Sequence, residues 1–268
     1  MPADEQQGVV ARMRHVICHY HIYKNSGTSF DRILRANYGE RHISFDGPFP
    51  YFAINQQELA RIIQRNPKAK AFSSHQTSLP PPCSLEFTAH PVVFVRHPIL
   101  RIYSVYRYKR EENDATLTSI NARDMDFGDW CRHSLAHAQE IVQVSNAQTR
   151  TLGGSHGAVS LIRRRERSME YDLVQARRNI AGVELLARTE HFEQDVARFR
   201  AVLQRHGIEF DPSGAEAHNV NASDFSLTVE DRLARIEAEL GEETYARVVA
   251  ANAQDLAIYA EVCARLDG

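Results

Sequence analysis

The sequence predicts an α/β protein in which a central, mostly parallel sheet lies between two layers of helices, followed by a helical C-terminal part. Three observations predict this fold. Short apolar runs alternate with helix-patterned segments early in the chain, as in sheets built from strand–helix–strand units. Two of these runs end in polar turns that open helices, at the edge where parallel sheets bind ligands. Residues 228–266 are rich in Ala and Glu, which favours helices.

The strands are predicted from apolar and β-branched runs, and the helices from apolar residues three or four positions apart. The predicted strands cover residues 15–22, 42–45, 70–74, 92–95 and 183–187. The predicted helices cover residues 28–37, 55–65, 98–110, 168–180 and 193–206, most of 126–149, and parts of 228–266. Residues 47–51, 78–86, 111–125 and 153–157 are predicted to be loops, the second around a Pro-rich run and the last around three glycines.

Composition indicates one ordinary globular domain over residues 1–268, with residues 1–14 as a polar N-terminal extension. Hydrophobic residues make up 43% of the chain and charged residues 25%, and the length suffices to bury one full core. The net charge of −2 argues against a nucleic-acid binder. The four cysteines lack C-x-x-C spacing and suggest neither a zinc site nor a disulfide framework. We find no apolar leader and no run near the roughly 20 residues of a membrane span, so we expect a cytoplasmic protein.

A candidate phosphate-binding loop lies near the start of the chain, in the run H-I-Y-K-N-S-G-T-S at residues 21–29. A strand precedes it and a helix follows it, which puts the free N–H groups of Gly27, Thr28 and Ser29 at a helix N-terminus. Those donors and the helix dipole attract an anion, and Gly27 allows its close approach. Lys24 adds a mobile positive charge. The alternative is an ordinary strand–turn–helix in which Lys24 is solvated.

The order of Lys and Gly in this loop is informative. Loops that bind magnesium nucleoside triphosphates carry G-x-x-x-x-G-K-[ST], with Lys after the second Gly. Here Lys24 precedes Gly27, which favours a phosphate ligand bound without a metal. The order of strand, phosphate-binding turn and helix predicts a P-loop-like fold that lacks the triphosphate motif.

A second candidate anion site follows the strand at residues 92–95. Arg96 comes at the carboxyl end of this strand, where its fork of donors could grip a phosphate. Pro98 fits the first turn of the next helix, and Ser104 lies about two turns into it. A structural salt bridge for Arg96 and a plain surface hydroxyl for Ser104 are the alternatives.

Together, the two segments resemble the donor-binding elements of sulfotransferases. Residues 21–29 resemble the 5′-phosphosulfate-binding loop H-I-P-K-T-G-G-T-S, and residues 95–104, V-R-H-P-I-L-R-I-Y-S, resemble the 3′-phosphate-binding element V-R-[DH]-P-x-x-R-[FY]-x-S. The likeness is closest to membrane-type carbohydrate sulfotransferases and their bacterial relatives. It extends more weakly to N-A-Q-T-R at residues 146–150 and to residues 182–192. Tyr23 stands where the family has Pro, and Asn25-Ser26 replaces its usual small pair.

The resemblance implies transfer of a sulfuryl group from 3′-phosphoadenosine 5′-phosphosulfate (PAPS) to an acceptor hydroxyl, on a carbohydrate or another hydroxyl compound. It assigns the 5′-phosphosulfate to Lys24, Asn25, Ser26, Gly27, Thr28 and Ser29, and the 3′-phosphate to Arg96 and Ser104. Lys24 would also be catalytic, at the bridging oxygen where charge develops on the leaving phosphate. No metal and no nucleic-acid partner is expected.

The acceptor hydroxyl must lose a proton, which favours a base with a pKa near 7, such as histidine. Of 13 histidines, His75 is best placed, because it follows the strand at residues 70–74 at the sheet edge expected for Lys24 and Arg96. Sulfotransferases carry a catalytic histidine in a similar strand-end segment. The alternative is a loop histidine bonded to backbone. His156, in the glycine-rich loop, is a weaker candidate for base or substrate contact.

Several further residues remain open. His19 and His21 alternate on one face of the first strand, but a metal site there would lack a third ligand. Arg150 could line the donor or acceptor site, and R-R-R-E-R at residues 163–167 could grip an anionic acceptor or be solvated. The rival functions are a kinase of the same broad fold and a non-catalytic nucleotide-binding protein. The kinase would need a magnesium-binding acid and a Lys after the Gly, and the sequence offers neither.

Overall fold

The computed structural model describes residues 13–49, 52–154, 163–165, 168–213 and 227–268. Its strands are β1 (Arg14–Tyr20), β2 (His42–Ser44), β3 (Ala71–Ser74), β4 (Phe87–Val95), β5 (Arg163–Arg165), β6 (Ser168–Glu170) and β7 (Leu185–Arg188). Five of them form one parallel sheet in the order β2-β3-β1-β4-β7, while β5 and β6 form a separate antiparallel pair. The predicted α/β class with a central parallel sheet is confirmed.

Helices fill most of the remaining described chain. They are α1 (Gly27–Tyr38), α2 (Gln56–Arg65), α3 (Pro98–Glu111), α4 (Leu117–Asp124), α5 (Phe127–Ala136), α6 (Ile141–Val144), α7 (Ala147–Leu152), α8 (Leu173–Ala181), α9 (Phe192–Arg205), α10 (Val229–Leu240), α11 (Glu242–Ala251) and α12 (Ala253–Asp267). Capping boxes at Asn55 and Thr228 fix where α2 and α10 begin. None of the helices in these described ranges has the length and apolar character needed to cross a bilayer.

All five strands of the large sheet run in the same direction, so their carboxyl ends meet at one edge. At the centre, Ile17 of β1 pairs with Ala71 of β3 on one side and with His90 of β4 on the other. Beyond β4, Val95 pairs with Arg188 of β7. The loops that follow β1, β2, β3, β4 and β7 therefore share one side of the sheet, the carboxyl edge, where open α/β sheets bind ligands.

Helices cover both faces of this sheet, as predicted. On one face, the rings of Phe30 in α1 and Phe199 in α9 lie against Phe94 of β4. On the other face, α2, α8 and α12 bury residues such as Ile63 and Val262. A further core around Trp130 joins α3, α5, α10 and α11. The three-layer arrangement and the helical C-terminal part thus agree with the sequence prediction.

The helix predicted over residues 168–180 is wrong in its first part. The chain there forms strand β6, and α8 begins only after Asp172, whose side chain accepts a hydrogen bond from the Gln175 N–H and caps the helix. Before this cap, a tertiary contact replaces helical bonding, because the Met169 N–H donates to the Ser145 hydroxyl at 2.8 Å. The Asp172 cap was visible in the sequence, whereas the Ser145 contact depends on the fold.

Two smaller differences concern residues 111–125 and the start of β4. The predicted loop over residues 111–125 contains α4, which is capped by the Thr116 side chain accepting from the Ser119 N–H. Strand β4 begins earlier than predicted and includes Pro91. Pairing with β7 starts only at Val92, so Pro91 lies in the part of β4 that β7 does not pair with. This position tolerates the missing N–H of proline.

Candidate active site

The turn between β1 and α1 presents a helix N-terminus at the carboxyl edge. The first main-chain hydrogen bond of α1 runs from Phe30 N to Ser26 O, at 3.1 Å. Gly27, Thr28 and Ser29 thus carry the first N–H groups of the helix, for which an α-helix offers no internal acceptor. Ser26 adopts a left-handed conformation and provides no side-chain cap. This first turn has the geometry that attracts an anion.

Packing against His21 explains the glycine in this turn. A Cβ at position 27 would lie 1.9 Å from His21 Nε2, far inside contact distance. The His21 ring stacks in turn on the ring of His75, with centroids 3.8 Å apart. His21 therefore lies between the N-terminus of α1 and His75, and a side chain at position 27 would disturb both.

Lys24 lies in a strained part of the same turn. Its φ of 66° falls in the left-handed region, which is uncommon for residues other than glycine and recurs at functional sites. Its Nζ lies 4.1 Å from the centre of the Tyr108 ring, a cation–π contact. Burial, aided by the positive charge of Arg96, lowers the pKa of Lys24 to about 8. A partly desolvated ammonium of this kind gains from an anionic neighbour.

Two arginines that follow β4 hold this turn through its carbonyl groups. Arg96 Nη1 donates to the Lys24 carbonyl at 3.0 Å, and Arg101 Nε donates to the Tyr23 carbonyl at 3.1 Å. Arg101 is buried, and burial lowers its pKa to about 10. Tyr23, which stands where the resembling motif has proline, packs its ring edge-on against Tyr108. The two segments matched in the sequence are thus bonded directly to each other.

Gln148 joins the same two segments from behind. Its Oε1 accepts from Asn25 Nδ2 at 2.7 Å and from the Arg96 N–H at 2.9 Å, while its Nε2 donates to the Arg96 carbonyl at 2.8 Å. Asn25 also donates to the Phe94 carbonyl at 2.8 Å and is only 1% exposed. The side chain of Asn25 therefore anchors the turn, and Gln148 fixes the distance between the turn and the end of β4.

His75 lies in the loop after β3 and pairs with Asp46 in the loop after β2. Asp46 Oδ2 lies 3.1 Å from His75 Nδ1, and Asp46 Oδ1 accepts from the His75 N–H and from the Ser74 hydroxyl, each at 2.9 Å. The His75 side chain is 46% exposed. Burial and the neighbouring His21 lower the pKa of His75, against the opposing effect of Asp46. A reachable imidazole with a carboxylate partner has the properties of a general base.

A polar network lies behind His21, around Asp31 of α1. Asp31 Oδ1 accepts from His19 Nδ1 at 2.8 Å and from the Ser73 hydroxyl at 2.6 Å, and Oδ2 lies 3.6 Å from His21 Nδ1. Burial alone would raise the pKa of Asp31, but hydrogen bonds from these neighbours hold it well below its usual range. Asp31 thus adds a third side chain with metal-ligand chemistry beside His19 and His21, which the sequence analysis did not find.

Arg96 is positioned by a buried carboxylate. Its Nε lies 3.9 Å from Glu190 Oε1, and the Glu190 side chain is 1% exposed. The other bonds of Glu190 come from the His97 N–H and the Tyr259 hydroxyl, each at 3.1 Å. The Arg96 side chain itself is 17% exposed, so it lies at the carboxyl edge with limited access to solvent.

The remaining candidates lie at or near this region, or outside the described residues. Ser104 is half-buried on α3, and Arg150 is half-buried in α7, where its buried Nε–H donates no hydrogen bond to any described residue. Residues 163–165 form β5, and the rest of that basic cluster, residues 166–167, lies outside the described chain. The candidate His156 also lies outside it.

Sequence reasoning named Lys24, His75 and Arg96 but missed the groups that position them. Asp46, Glu190 and Gln148 contact His75, Arg96 and the turn at residues 21–29, respectively. Gln148 and Glu190 lie in the two segments that match the family more weakly, and Arg101 lies in the segment at residues 95–104. The sequence analysis gave none of the three a role. One feature of the sequence could have identified Asp46. It follows a predicted strand that ends at the same sheet edge as the strand before His75.

Comparison with known proteins identifies the family of this chain. The family model described as "Sulfotransferase family" matches residues 7–260. An uncharacterized protein of Archaeoglobus fulgidus is 29% identical over 255 residues, which cover 93% of this chain and 96% of that protein. The match spans the turn after β1, the segment after β4 and the helices that hold them. The chain therefore belongs to the sulfotransferase family.

Proposed function

We propose that this protein transfers a sulfuryl group from PAPS to an acceptor hydroxyl, with a carbohydrate as the acceptor class, and that residues 1–268 act as one catalytic domain. The observation that carries the proposal is the meeting of three features at one sheet edge: the uncapped N-terminus of α1, Lys24, and the Asp46–His75 pair. The first suits an anionic donor, the second a leaving group that gains charge, and the third an acceptor that loses a proton.

In this proposal the turn after β1 holds the 5′-phosphosulfate of the donor. The N–H groups of Gly27, Thr28 and Ser29 bind its oxygens, and Thr28 adds an exposed hydroxyl. Asn25 and Ser26 keep the turn in its left-handed shape. Lys24 donates to the oxygen that bridges sulfur and phosphorus, where negative charge grows as the S–O bond breaks. These donors meet the charge of the leaving group without a metal ion.

The acceptor hydroxyl is activated by His75. With Nδ1–H donating to Asp46, His75 Nε2 carries the lone pair and takes the proton as the acceptor oxygen bonds to sulfur. The new O–S bond forms while the old S–O bond breaks, so the products are a sulfate ester, 3′-phosphoadenosine 5′-phosphate (PAP) and a proton on His75. Holding donor and acceptor in line supplies much of the remaining rate enhancement.

The 3′-phosphate of the donor is assigned to Arg96 and Ser104. Arg96 already bonds the Lys24 carbonyl, so binding at this phosphate is mechanically linked to the position of Lys24. Arg150, with its buried Nε, is a further candidate for contact with an anionic donor or acceptor group. His156 is kept as a candidate for substrate contact.

Transfer of labelled sulfate tests the function. The purified protein is incubated with PAPS carrying labelled sulfate and with a panel of glycans, tyrosine peptides and small alcohols. We expect label to appear in at least one glycan, and to be lost in His75→Ala but kept in His191→Ala, which removes an exposed histidine. Label in a tyrosine peptide or a small alcohol alone would keep the transferase and change the acceptor class.

Parallel assays separate the rival functions. Transfer of the γ-phosphoryl group from ATP with magnesium to any member of the panel, without sulfate transfer, would favour the kinase. Tight PAP binding with no transfer to any acceptor would favour a non-catalytic binding protein. Either result would overturn the proposed reaction.

A further inference from the structure

Three histidines meet at the end of the sheet opposite the carboxyl edge. His15 is near the start of β1, and His90 is near the middle of the neighbouring strand β4. His206 directly follows α9, which packs together with α1 on one face of the sheet. At the strand rise of about 3.3 Å per residue, His15 lies about 13 Å along β1 from His19, the first histidine of the candidate active site.

The three imidazoles form one compact group. His15 Nδ1 lies 2.9 Å from His90 Nε2. The ring of His206 has its centroid 4.2 Å from that of His90 and 5.6 Å from that of His15. One nitrogen from each ring lies within 4.8 Å of the others. His90 is 7% exposed, whereas the His206 side chain is 31% exposed, so the group opens to solvent on one side.

This donor set suits a borderline divalent cation. Zinc binds imidazole nitrogens at about 2.0–2.1 Å, which puts two nitrogens of a tetrahedral site about 3.3 Å apart. The His15–His90 nitrogens already have nearly this separation, and a turn of the half-exposed His206 side chain would bring in the third.

A carboxylate supports the third ring. Glu184 Oε2 lies 3.3 Å from His206 Nε2, and Glu184 Oε1 accepts from Arg205 Nη2 at 2.8 Å. Metal-bound histidines commonly give their other N–H to such a carboxylate, which fixes the ring and makes it a better ligand. Glu184 is in position for this role, with its other oxygen held by Arg205.

The other histidine cluster of the described chain is less suited to a metal. In that cluster, Asp31 already accepts hydrogen bonds at 2.8 Å from His19 and at 2.6 Å from Ser73. An ion there would have to displace bonds that hold the candidate active site together. In the His15–His90–His206 group, an ion would replace the 2.9 Å hydrogen bond between His15 Nδ1 and His90 Nε2, which lies away from the candidate active site.

We propose that His15, His90 and His206 bind one zinc ion, or a similar divalent cation, which ties β1 and β4 to the end of α9. A fourth position, open on the solvent side, is left for water. The site lies away from the sulfuryl-transfer chemistry, and its existence does not depend on the proposed function.

Metal titration tests the site directly. The full-length protein is stripped with a chelator, and zinc binding is followed by calorimetry and by metal content after dialysis. The same titration with Co²⁺ reports geometry through the visible absorption of tetrahedral cobalt. The variants are His90→Gln, His206→Gln and Glu184→Gln, with His191→Gln as a matched control that removes an exposed histidine. His21→Gln tests the cluster around Asp31.

We expect one zinc ion per chain, a tetrahedral cobalt spectrum, and a higher Tm with zinc than without it. Glu184→Gln should weaken binding by about 10–100-fold, and His206→Gln by more, while His191→Gln and His21→Gln bind as the wild type does. His206 is half-exposed, so its variant should fold even if His90→Gln does not. No stoichiometric binding by the wild type, or binding that His206→Gln leaves unchanged, would overturn the site. Binding lost only in His21→Gln would move it to the Asp31 cluster.

Discussion

Asp46 Oδ2 lies 3.1 Å from His75 Nδ1, although the two residues are 29 positions apart in the chain. They meet because β2 and β3 are parallel neighbours, so the loops that follow them emerge side by side. The pair fixes which nitrogen of His75 faces the protein and leaves the other for a substrate. Asp46 acts through His75 and is thus a positioning residue in the proposed reaction.

Asp46→Asn should lower the rate and move its pH dependence. The negative charge of Asp46 raises the pKa of His75, so its loss lowers that pKa further below the ordinary value of about 6.5. The acidic limb of kcat/KM, where protonation of the base stops the reaction, should therefore shift to lower pH. The plateau value of kcat/KM should fall by as much as a general base contributes, which is roughly 10²–10⁴-fold.

The control for this profile is Asp124→Asn, which removes an exposed carboxylate at the end of α4. It should leave both the limb and the plateau as in the wild type. A limb that moves to higher pH in Asp46→Asn, or a profile identical to that of Asp124→Asn, would contradict the role of the pair.

Lys24→Met should reduce kcat by about 10²–10³-fold, the usual cost of removing one donor at a developing negative charge. The pKa of about 8 adds a second expectation for the wild type. Free enzyme should lose kcat/KM for PAPS as the pH rises through about 8, because the ammonium loses its proton. Lys68→Met, at an exposed position, serves as the control. An unchanged kcat in Lys24→Met would remove Lys24 from the chemistry.

Gly27→Ala adds only one methyl group but should clearly weaken binding of the donor. The new Cβ would lie 1.9 Å from His21 Nε2, so His21 must move, and with it the turn and the stacked ring of His75. We expect the affinity for PAP to fall at least tenfold, or about 1.4 kcal/mol. Gly182→Ala is the matched control, because a Cβ there meets nothing within 4 Å. Equal PAP affinity in the two variants would show that the turn between β1 and α1 tolerates a side chain at position 27.

Much of the fold was predictable because its signals are local. Short β-branched runs and helical spacing located all five strands of the parallel sheet and most of the helices between them. The error at residues 168–180 arose where a tertiary bond from Met169 to Ser145 decides the conformation. Helix α4 was missed although Thr116 provides an ordinary N-cap, so the signal was present but weak.

The residues of the candidate site that could be predicted lie in the matched motifs or, like His75, directly follow a predicted strand. Lys24 and Gly27 lie in and at the end of the turn that follows β1, and Arg96 directly follows β4. Strand direction alone brings such positions to one edge. The contacts of Asp46 with His75 and of Glu190 with Arg96 depend on which strands are neighbours. No local sequence pattern predicts the strand order β2-β3-β1-β4-β7. His15, His90 and His206 come together for the same reason, through pairing of β1 with β4 and packing of α9.

Gln148→Leu should destabilise the fold while removing little volume. It leaves the buried Asn25 amide and the part-buried Arg96 N–H without their shared acceptor, which costs about 1–3 kcal/mol for an unsatisfied buried group. Urea unfolding of this variant and of Gln57→Leu, at an exposed position of α2, measures the difference. A free energy of unfolding equal to that of Gln57→Leu would mean that the hydrogen bonds of Gln148 to Asn25 and Arg96 contribute nothing to stability.

Calorimetric titration with PAP, the product that carries both phosphates, tests the proposed donor site without any need to know the acceptor. We expect one PAP per chain in the wild type. Removal of charged hydrogen bonds at the assigned 3′-phosphate site in Arg96→Ala should weaken binding by about 10–150-fold, the equivalent of about 1.5–3 kcal/mol. Arg61→Ala, exposed on α2, should bind as the wild type does. No binding of PAP by the wild type would contradict the proposed function, and full-strength binding by Arg96→Ala would contradict the assignment of the 3′-phosphate.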